Sequence, residues 1–399
     1  MNILFYRYGS VYEPDMIDAF SASGLNVIEI DREITVKNTS DQERISLVRR
    51  EIEQHLPQFV YSINYYPAVS EVCRIYNVIY ISQTVDSPVF TLFDRSIQNG
   101  NNRIFLFDRA QYDQFSPYNK ECIFHLPLAS AVDRFDKVIS SISDRDRKRF
   151  TSDISFVGST YREKDNYEEL GKLSEYVQGY VEALIGSSLG IYGYYPVKDA
   201  LNERVVSEVK NAAGKGFPVI DGAIRNMDTY AVSHRYIGTH LAVRERERTL
   251  SELAKRFKVD LYTKSDVSSL EKGGKNTASG LFVHPGVDTL NEMPKIFNLT
   301  RINLNMTMRP IETGLPLRCF DILGCGGFLM TNYQSEIEDM FVAGQDLEVY
   351  SSLDELIDKC TYYLSHEEER AAIARNGYEK VRKNHTHINR LKDMLATML

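Results

Sequence analysis

The chain has 399 residues, of which 43% are hydrophobic and 26% are charged, and its formal net charge is -8. This length is enough for two or three domains, and the composition is that of a globular protein. The negative charge argues against non-specific nucleic-acid binding as the main task. Two basic clusters, residues 145–149 and 244–248, are interleaved with acids. We therefore interpret both clusters as solvated helix faces.

The five cysteines show neither a CxxC motif nor the Cys/His spacing of a metal site. We expect reduced, mostly buried thiols, as in a cytoplasmic protein. No apolar run approaches the ~18 residues of a membrane span, so no membrane segment is predicted. The N-terminus begins with a strand-like run in place of a charged region and a long apolar stretch, so no signal peptide is expected.

Residues 1–150 are predicted to form a Rossmann-like domain. Short apolar runs predict strands at residues 2–6, 27–30, 59–63, 78–81, 103–107 and 123–126. A capping box at Ser40 and Glu43 begins one of the helices between them, and apolar residues at core spacing follow it. The alternation of strands and helices indicates a parallel sheet.

The loops that follow parallel strands line the ligand crevice of such a sheet. Asp86 follows the fourth predicted strand and is a candidate catalytic or acceptor-binding carboxylate. A turn or a helix cap is the alternative interpretation, because Asp-Ser-Pro is good turn chemistry.

Residues 132–150 predict a charged connecting helix. The motif from Asp144 to Asp146 has the DxD spacing found in some divalent-metal sites. It lies in a run of alternating charge with no strand before it. We therefore interpret it as a solvated linker and predict no metal site.

A second α/β domain is predicted over residues 151–377. Its first strand ends at Gly158, which allows a ligand to approach the backbone. Ser159, Arg162 and Lys164 follow, and the two cations can neutralise phosphate groups, although an ordinary surface loop is the alternative. Residues 165–257 predict a helical insertion with helices at residues 167–185, 198–213 and 239–257.

Further strands are predicted at residues 259–262, 280–283, 301–305 and 328–331, and the polar stretch 268–280 predicts a loop. We assign to ligand binding a set of residues that follow these strands: Lys264, His284, Gly286, Asp288 and Arg309.

Residues 306–333 combine a strand end, a polar turn, a helix, a glycine stop and a new strand. The turn contains Thr313 and Gly314, and the helix opens at Leu315 and Pro316. Proline suits the first helical turn because its missing N–H has no partner there. A helix N-terminus at the carboxyl end of a strand is a ready site for a phosphate.

Several motifs in this order resemble the two-domain GT-B glycosyltransferases, and in particular their spore-maturation CgeB-type branch. The motifs of the C-terminal half are residues 156–158 (FVG), 314–318 (GLPLR), 320–328 (FDILGCGGF), 336–341 and 353–356. Those of the N-terminal half are residues 85–88 (VDSP), 105–108 (FLFD) and 125–129 (HLPLA).

The resemblance implies two Rossmann-like domains that face each other across a cleft, with a C-terminal helix, about residues 378–399, packed on the first. The C-terminal domain is expected to hold a nucleoside diphosphate sugar, with a UDP-sugar as the expected donor and a hexose as the expected sugar. A protein, peptide or glycan acceptor is expected on the N-terminal domain. Neither a metal nor a further cofactor is expected. The oligomeric state, the base, the sugar and the acceptor stay open.

The resemblance also implies roles for single residues. Glu312 matches the glutamate that touches the sugar in related retaining enzymes, and the backbone amides of residues 313–317 should face the diphosphate. Arg318 adds a cation, and residues 284–288 lie where the base is usually bound. Asp321 stands where a second glutamate contacts the ribose, but it is one carbon shorter and the gap is one residue wider. For Glu312 a solvated loop acid, and for Asp321 an exposed helix position, are the alternatives.

The stereochemistry consequently stays open: an inverting route needs a base such as Asp86, whereas a retaining route does not. Tyrosine-rich loops suit stacking on a sugar ring or a peptide, and the residues assigned to the acceptor side are Tyr8, Gly9, Asn64 and Tyr65. Two other functions are compatible with the pattern, a non-catalytic GT-B scaffold that binds nucleotide-sugar or glycan, and a nucleotide-sugar epimerase.

Overall fold

The computed structural model describes residues 1–37, 39–271 and 280–398. The chain divides into two compact units. Unit 1 contains Met1–Ala129, Val219–Asn226 and Asn384–Leu399, and unit 2 contains Ser130–Pro218 and Met227–Lys383. Most of the predicted polar loop 268–280, namely residues 272–279, lies outside the described residues.

Unit 1 is built on a parallel sheet with the strand order β2-β1-β3-β4-β5-β6. The strands are β1 (Asn2–Tyr6), β2 (Asn26–Ile30), β3 (Phe59–Ile63), β4 (Ile79–Gln83), β5 (Asn102–Leu106) and β6 (Ile123–His125). This confirms the predicted Rossmann-like sheet. The strand order reverses at the pair β1 and β3, and such a switch point is where ligands bind in open α/β sheets.

The helices of unit 1 cover the sheet and bury an aromatic core. Phe5 on β1, Tyr61 on β3 and Phe20 on a covering helix pack edge to face, with ring centroids 4.8–6.1 Å apart. The α-helices before residue 130 are Glu13–Ala22, Arg32–Thr35, Asp41–His55, Pro67–Tyr76 and Arg109–Phe115. Shorter 3-10 helices occupy Phe90–Phe93, Arg95–Gln98 and Ser116–Tyr118. The capping box at Ser40 and Glu43 is present as predicted.

Two distant segments of the chain complete unit 1. The backbone N–H of Ile224, in the segment Val219–Asn226, donates to the carbonyl of Phe93 at 2.8 Å. The terminal helix His387–Ala396 is joined to the unit by Arg390, whose side chain donates to the carbonyls of Pro127 at 2.6 Å and Leu128 at 3.1 Å.

Unit 2 contains a second parallel sheet with the order β12-β11-β10-β7-β8-β9. Its strands are β7 (Ser152–Val157), β8 (Val259–Thr263), β9 (Leu281–Pro285), β10 (Thr300–Asn305), β11 (Leu329–Asn332) and β12 (Glu348–Tyr350). Strands β8 and β9 lie on one side of β7, and strands β10, β11 and β12 lie on its other side. This is the doubly wound Rossmann order, with its switch point between β7 and β10.

The α-helices of unit 2 are Val132–Ser140, Asp144–Phe150, Glu175–Ser188, Val197–Ala200, Glu203–Ala213, Asp228–Ala231, Gly238–Ala254, Ser268–Glu271, Met293–Leu299, Leu317–Gly324, Ile337–Met340, Leu353–Ser365 and Glu367–Asn384. Helices Val132–Ser140 and Asp144–Phe150 belong here because of side-chain bonds to the region of Met293–Leu299, including Asp146 to Lys295 at 3.0 Å. The predicted domain boundary after residue 150 thus differs from the boundary after Ala129.

The helical insertion differs in detail from the prediction. Its first helix begins at Glu175, not at residue 167, because the Ser174 hydroxyl caps it there and residues 167–174 form turns and irregular backbone. A π-helix, Val232–Ile237, lies between Asp228–Ala231 and Gly238–Ala254. All five cysteines are buried and unpaired. No helix in the described parts of the chain is long and apolar enough to cross a membrane.

Candidate functional site

A pocket of about 170 Å³ lies at the switch point of unit 2. One wall is formed by β7 and the residues after it, including Gly158 and Ser159, and another by the segment 305–308 after β10. Pro316 and Arg318, from the start of the helix Leu317–Gly324, and Arg246 complete the lining. The structure thus gathers four of the residues predicted for ligand binding, and among the further lining residues is a cation, Arg246, that the sequence analysis did not select.

The helix Leu317–Gly324 starts at this pocket. Its N-cap is Pro316, and no side chain in the described ranges caps it. The N–H groups of a first helical turn have no acceptor within the helix, so this end carries a partial positive charge.

The turn before this helix is hydrogen-bonded to the loop after β11. The Gln334 side chain donates to the carbonyls of Ile311 at 2.8 Å and Gly314 at 3.0 Å. The Thr313 hydroxyl donates to buried Glu336 at 2.8 Å. These bonds fix the turn, while Leu315 is buried beneath it.

Arg318 reaches the pocket from the first turn of the helix. Its guanidinium lies 5.2 Å from the ring centroid of Phe297 and 3.4 Å from a carboxylate oxygen of Asp321. Asp321 is buried, in contrast to the exposed helix position that was its alternative interpretation. A cation at a helix N-terminus is unfavourable in the field of the helix, and an anion bound in the pocket would offset that repulsion.

Arg246 is the pocket residue that the sequence analysis missed. It is 8% exposed and donates to the carbonyl of Ser159 at 2.5 Å and that of Met306 at 2.7 Å. Burial is the largest influence on its guanidinium and lowers the pKa, although the neighbouring Tyr161 and Glu245 act in the opposite direction. Burial of a cation is costly, so an anionic ligand in the pocket would stabilise Arg246.

A signal for Arg246 was present in the sequence. The run 244–248 was interpreted as a solvated face because of its alternating charges. Arg246 nevertheless stands three residues after Val243 and four before Leu250, both buried, and so lies on the apolar stripe of the helix. The alternating charges suggested that the whole run is solvated. The helical periodicity, in contrast, indicates that Arg246 is its buried arginine.

Two other predicted cations have different partners. Arg162 forms a bidentate pair with Glu247 at 2.7 and 2.9 Å. Lys164 lies 5.5 Å from the ring centroid of Tyr161. Neither residue lines the pocket.

Arg309 is a correction to the prediction. Its guanidinium is buried, pairs with Glu245 at 2.7 Å and lies 4.0 Å from the ring centroid of Tyr192. This ion pair joins the segment after β10 to the helix Gly238–Ala254, so the charge of Arg309 has a structural partner within unit 2.

The residues after β8 and β9 form a separate group. His284 stacks on Tyr262 at a centroid distance of 4.5 Å and lies 2.7 Å from a carboxylate oxygen of Asp260. Lys264 runs across Gly286, where a Cβ atom would lie 2.3 Å from the lysine side chain.

Asp288 has a local role in the same region. It accepts from the Asn291 side chain at 2.7 Å and from the backbone of Leu290 at 2.9 Å, and these bonds keep the pKa of Asp288 below its ordinary value. The carboxylate therefore stabilises a turn.

Glu312 lies in the turn before the pocket helix. Its carboxylate lies 2.6 Å from Nζ of Lys198 and 3.8 Å from Nε2 of His234, and its side chain is 16% exposed. Burial by itself raises the pKa of Glu312, but His234 and Lys198 outweigh burial and hold the pKa below its ordinary value. The alternative of a solvated loop acid does not describe this environment.

In unit 1, predicted acceptor-side residues meet at the ends of β1, β3 and β4. The Asn64 side chain donates to Asp86 at 2.7 Å and to the Tyr8 hydroxyl at 3.2 Å, and it accepts from the N–H of Val85 at 3.1 Å. Asp86 is exposed. Gly9 adopts a φ of +93°, a conformation that favours glycine.

Tyr65 is a further correction. Its side chain is 1% exposed, and its hydroxyl lies 2.8 Å from that of Ser96. The ring belongs to the core and is not available for stacking on a ligand. The neighbouring Asn64 has a φ of +59°, in the left-handed region.

The DxD motif has a structural role. Asp146 forms the capping box of its helix with Ser143 and pairs with Lys295, and these bonds, with those from Ser143 first, hold its pKa far below the ordinary value. Elsewhere in the described residues, Asp165, Glu168 and His240 place potential metal ligands within 4.8 Å of one another. The two buried residues of this group, His240 and Asp165, are hydrogen-bonded to each other at 2.8 Å.

Comparison with known proteins gives a family match for the C-terminal part of the chain and a shared fold for the whole of it. Residues 244–396 match the family described as glycosyl transferase-like. The fold is similar to that of sucrose-phosphate synthase from Thermosynechococcus elongatus, with a TM-score of 0.58 at 8% identity over 100% of this chain and 99% of that one.

A glycosyltransferase from Rickettsia africae gives a TM-score of 0.57 at 10% identity, over 99% of this chain and 97% of that one. The HepE protein of Anabaena, solved in complex with UDP-glucose, gives 0.56 at 9% identity over 100% and 99%. No curated protein sequence matches the chain. The two Rossmann-like units thus have the GT-B glycosyltransferase fold, and the C-terminal part carries the glycosyl transferase-like signature.

Proposed function

We propose that the protein is a glycosyltransferase that moves a sugar from a nucleoside diphosphate sugar to a hydroxyl group of a protein, peptide or glycan. The observation that carries this proposal is the pocket at the switch point of unit 2. It combines the uncapped N-terminal end of a helix with two cations, Arg246 and Arg318. This combination suits a diphosphate, because the negative charge of the diphosphate complements the positive charge of the helix end and of the two guanidinium groups.

The chemistry follows from the same groups. As the glycosidic bond breaks, negative charge grows on the departing nucleoside diphosphate. Preorganised N–H groups and guanidinium groups stabilise that charge without rearranging. Since these groups belong to the chain itself, we propose that transfer needs no metal ion.

The residues near the sugar and the acceptor are proposed on the basis of their surroundings. Glu312 is proposed to contact the sugar, and the buried Asp321 to act through Arg318. Asp86 is exposed and held by Asn64, so it is proposed as the base that receives the acceptor proton in an inverting reaction. Inversion or retention is decided by the anomer of the product.

The comparisons support the donor class. The family match covers residues 244–396, which contain Arg246 and Arg318, and HepE was solved with UDP-glucose. We therefore propose a UDP-hexose as donor. The motifs at residues 85–88 and 320–328 further support membership of the CgeB-type branch.

The proposal is tested by incubating the purified protein with UDP-, GDP-, ADP- and dTDP-sugars and measuring the released nucleoside diphosphate, with and without EDTA. We expect release from one donor class, unchanged by EDTA. Tight donor binding without any release would contradict the proposal and favour a binding scaffold. Conversion to an epimeric nucleotide-sugar would instead identify an epimerase, and loss of activity in EDTA would contradict metal independence.

A further inference from the structure

The carboxylate of Glu312 is held by two basic residues from the helical insertion. Lys198 belongs to the short helix Val197–Ala200, and its Nζ lies 2.6 Å from Oε2 of Glu312. His234 belongs to the π-helix, and its Nε2 lies 3.8 Å from Oε1. Both partners are far from Glu312 in sequence, so the contact exists only in the folded unit.

The π-helix aims His234 at this site. The imidazole is 4% exposed, its Nδ1 lies 2.7 Å from the Ser233 hydroxyl, and its ring stacks on Tyr230 at a centroid distance of 3.9 Å. These contacts fix the ring on the side opposite Nε2. Single π-helical turns are rare and often occur at functional sites, since they redirect side chains.

Close contact joins this part of the insertion to the loop that carries Glu312. A Cβ atom on Gly238, which follows the π-helix, would lie 2.4 Å from Cγ of Pro310 and 2.9 Å from the carbonyl of Ser233. Glycine is therefore required where the helix passes the residues before Glu312. The insertion and the loop meet as one packed surface.

The ion pair between Glu312 and Lys198 is partly buried. The side chain of Glu312 is 16% exposed and that of Lys198 is 37% exposed, so the ion pair is partly desolvated and retains access to a ligand. A carboxylate in such a place needs a cationic partner to stay ionised. Lys198 supplies that charge, and the imidazole of His234 approaches the other carboxylate oxygen.

We propose that the helical insertion completes the donor site, with Lys198 and His234 acting as positioning residues that orient the Glu312 carboxylate for the donor sugar. This inference rests on the proposed function. It assigns the insertion a part in sugar transfer, whereas the nucleotide itself is bound by the pocket of Arg246 and Arg318.

The test is a double-mutant cycle of Lys198→Gln and Glu312→Gln, with His234→Gln alongside. We expect each single variant to lower kcat roughly 10- to 100-fold, the range for a misplaced reacting group. The Kd for UDP should stay within about twofold, because the pocket is unchanged. The double variant should lose no more than Glu312→Gln alone, since coupled residues are not additive.

A matched control is available in the same insertion. Lys210 pairs with Asp228 at 2.7 Å, and Lys210→Gln should leave kcat unchanged. Lys198→Arg restores the charge and should recover most of the activity, which a loss of folding would not. Wild-type kcat in Lys198→Gln, or losses that multiply in the double variant, would overturn the inference.

The two proposals fail in different ways. A wild-type protein that turns over no donor contradicts the proposed function. In that case the same cycle is measured as the ratio of the Kd values for UDP and for the UDP-sugar, which needs no turnover. If the effects of Lys198→Gln and Glu312→Gln on that ratio are independent, the inference is contradicted, whatever the outcome for the proposed function.

Discussion

Four arginines of unit 2 that carry predicted or observed site roles differ in their partners. Arg162 and Arg309 pair with Glu247 and Glu245, and each pair is self-sufficient. Arg246 donates to the backbone carbonyls of Ser159 and Met306, and Arg318 has a long contact of 3.4 Å to Asp321. An anion is therefore expected beside the second group.

Replacement of Arg318 by alanine should weaken UDP binding by about 1.5–3 kcal/mol, the range for a hydrogen bond to a charged group. Isothermal titration with UDP measures the change. Arg256 is exposed, and Arg256→Ala serves as the control that should leave the Kd unaltered. An unchanged Kd in Arg318→Ala would remove this residue from the site.

Replacement of Asp86 by asparagine should lower sugar transfer by about 10²-fold or more, the typical contribution of a general base. UDP binding should persist, because Asp86 belongs to unit 1 and the pocket to unit 2. Steady-state transfer assays measure the loss, with the exposed Asp18→Asn as control. Full activity together with a product of retained anomeric configuration would show that Asp86 is not the base.

Glycines in the helices of unit 2 have opposite roles. Gly377, in the helix Glu367–Asn384, leaves no room for a side chain, since a Cβ atom would lie 2.2 Å from the carbonyl of Asp346. Gly179, in the helix Glu175–Ser188, has nothing within 4 Å. One glycine is a packing requirement, and the other only loosens its helix.

The substitution Gly377→Ala should therefore destabilise unit 2 by about 1–3 kcal/mol, as overpacking does. Gly179→Ala should stabilise it by about 0.5–1 kcal/mol, because alanine restricts the unfolded chain and favours the helix. Thermal melting followed by circular dichroism distinguishes the two signs. Equal effects of both substitutions would contradict the packing argument.

The two units are expected to respond differently to nucleotide. A ligand that binds the folded state stabilises it by RT ln(1 + [L]/Kd), about 2.7 kcal/mol at a hundredfold excess over Kd. Because the pocket is formed by unit 2 alone, UDP should raise the melting temperature of unit 2. Hydrogen exchange, which reports each unit separately, measures this effect, and protection confined to unit 1 would contradict the assignment.

Much of the fold could be predicted from local pattern. The apolar runs at residues 2–6 and 59–63 became β1 and β3, and the glycine stop after residue 323 ended the pocket helix. Such features depend on periodicity, caps and turn residues, which neighbouring positions encode. The predicted start of the insertion at residue 167 missed the local cap at Ser174. The interpretation of Arg246 was wrong because its surroundings are formed by residues distant in sequence.

The sequence by itself determined the two α/β halves and the strand-turn-helix stretch at residues 306–333, because these features follow from short-range periodicity and turn chemistry. Only the tertiary structure decided which charged side chains face the pocket. Arg246 and Arg309 are both buried arginines near charged neighbours, and they differ in whether a carboxylate from elsewhere in the chain reaches them. It also placed Lys198 and His234 beside Glu312, since packing of the insertion against the loop is a long-range contact that local sequence does not encode.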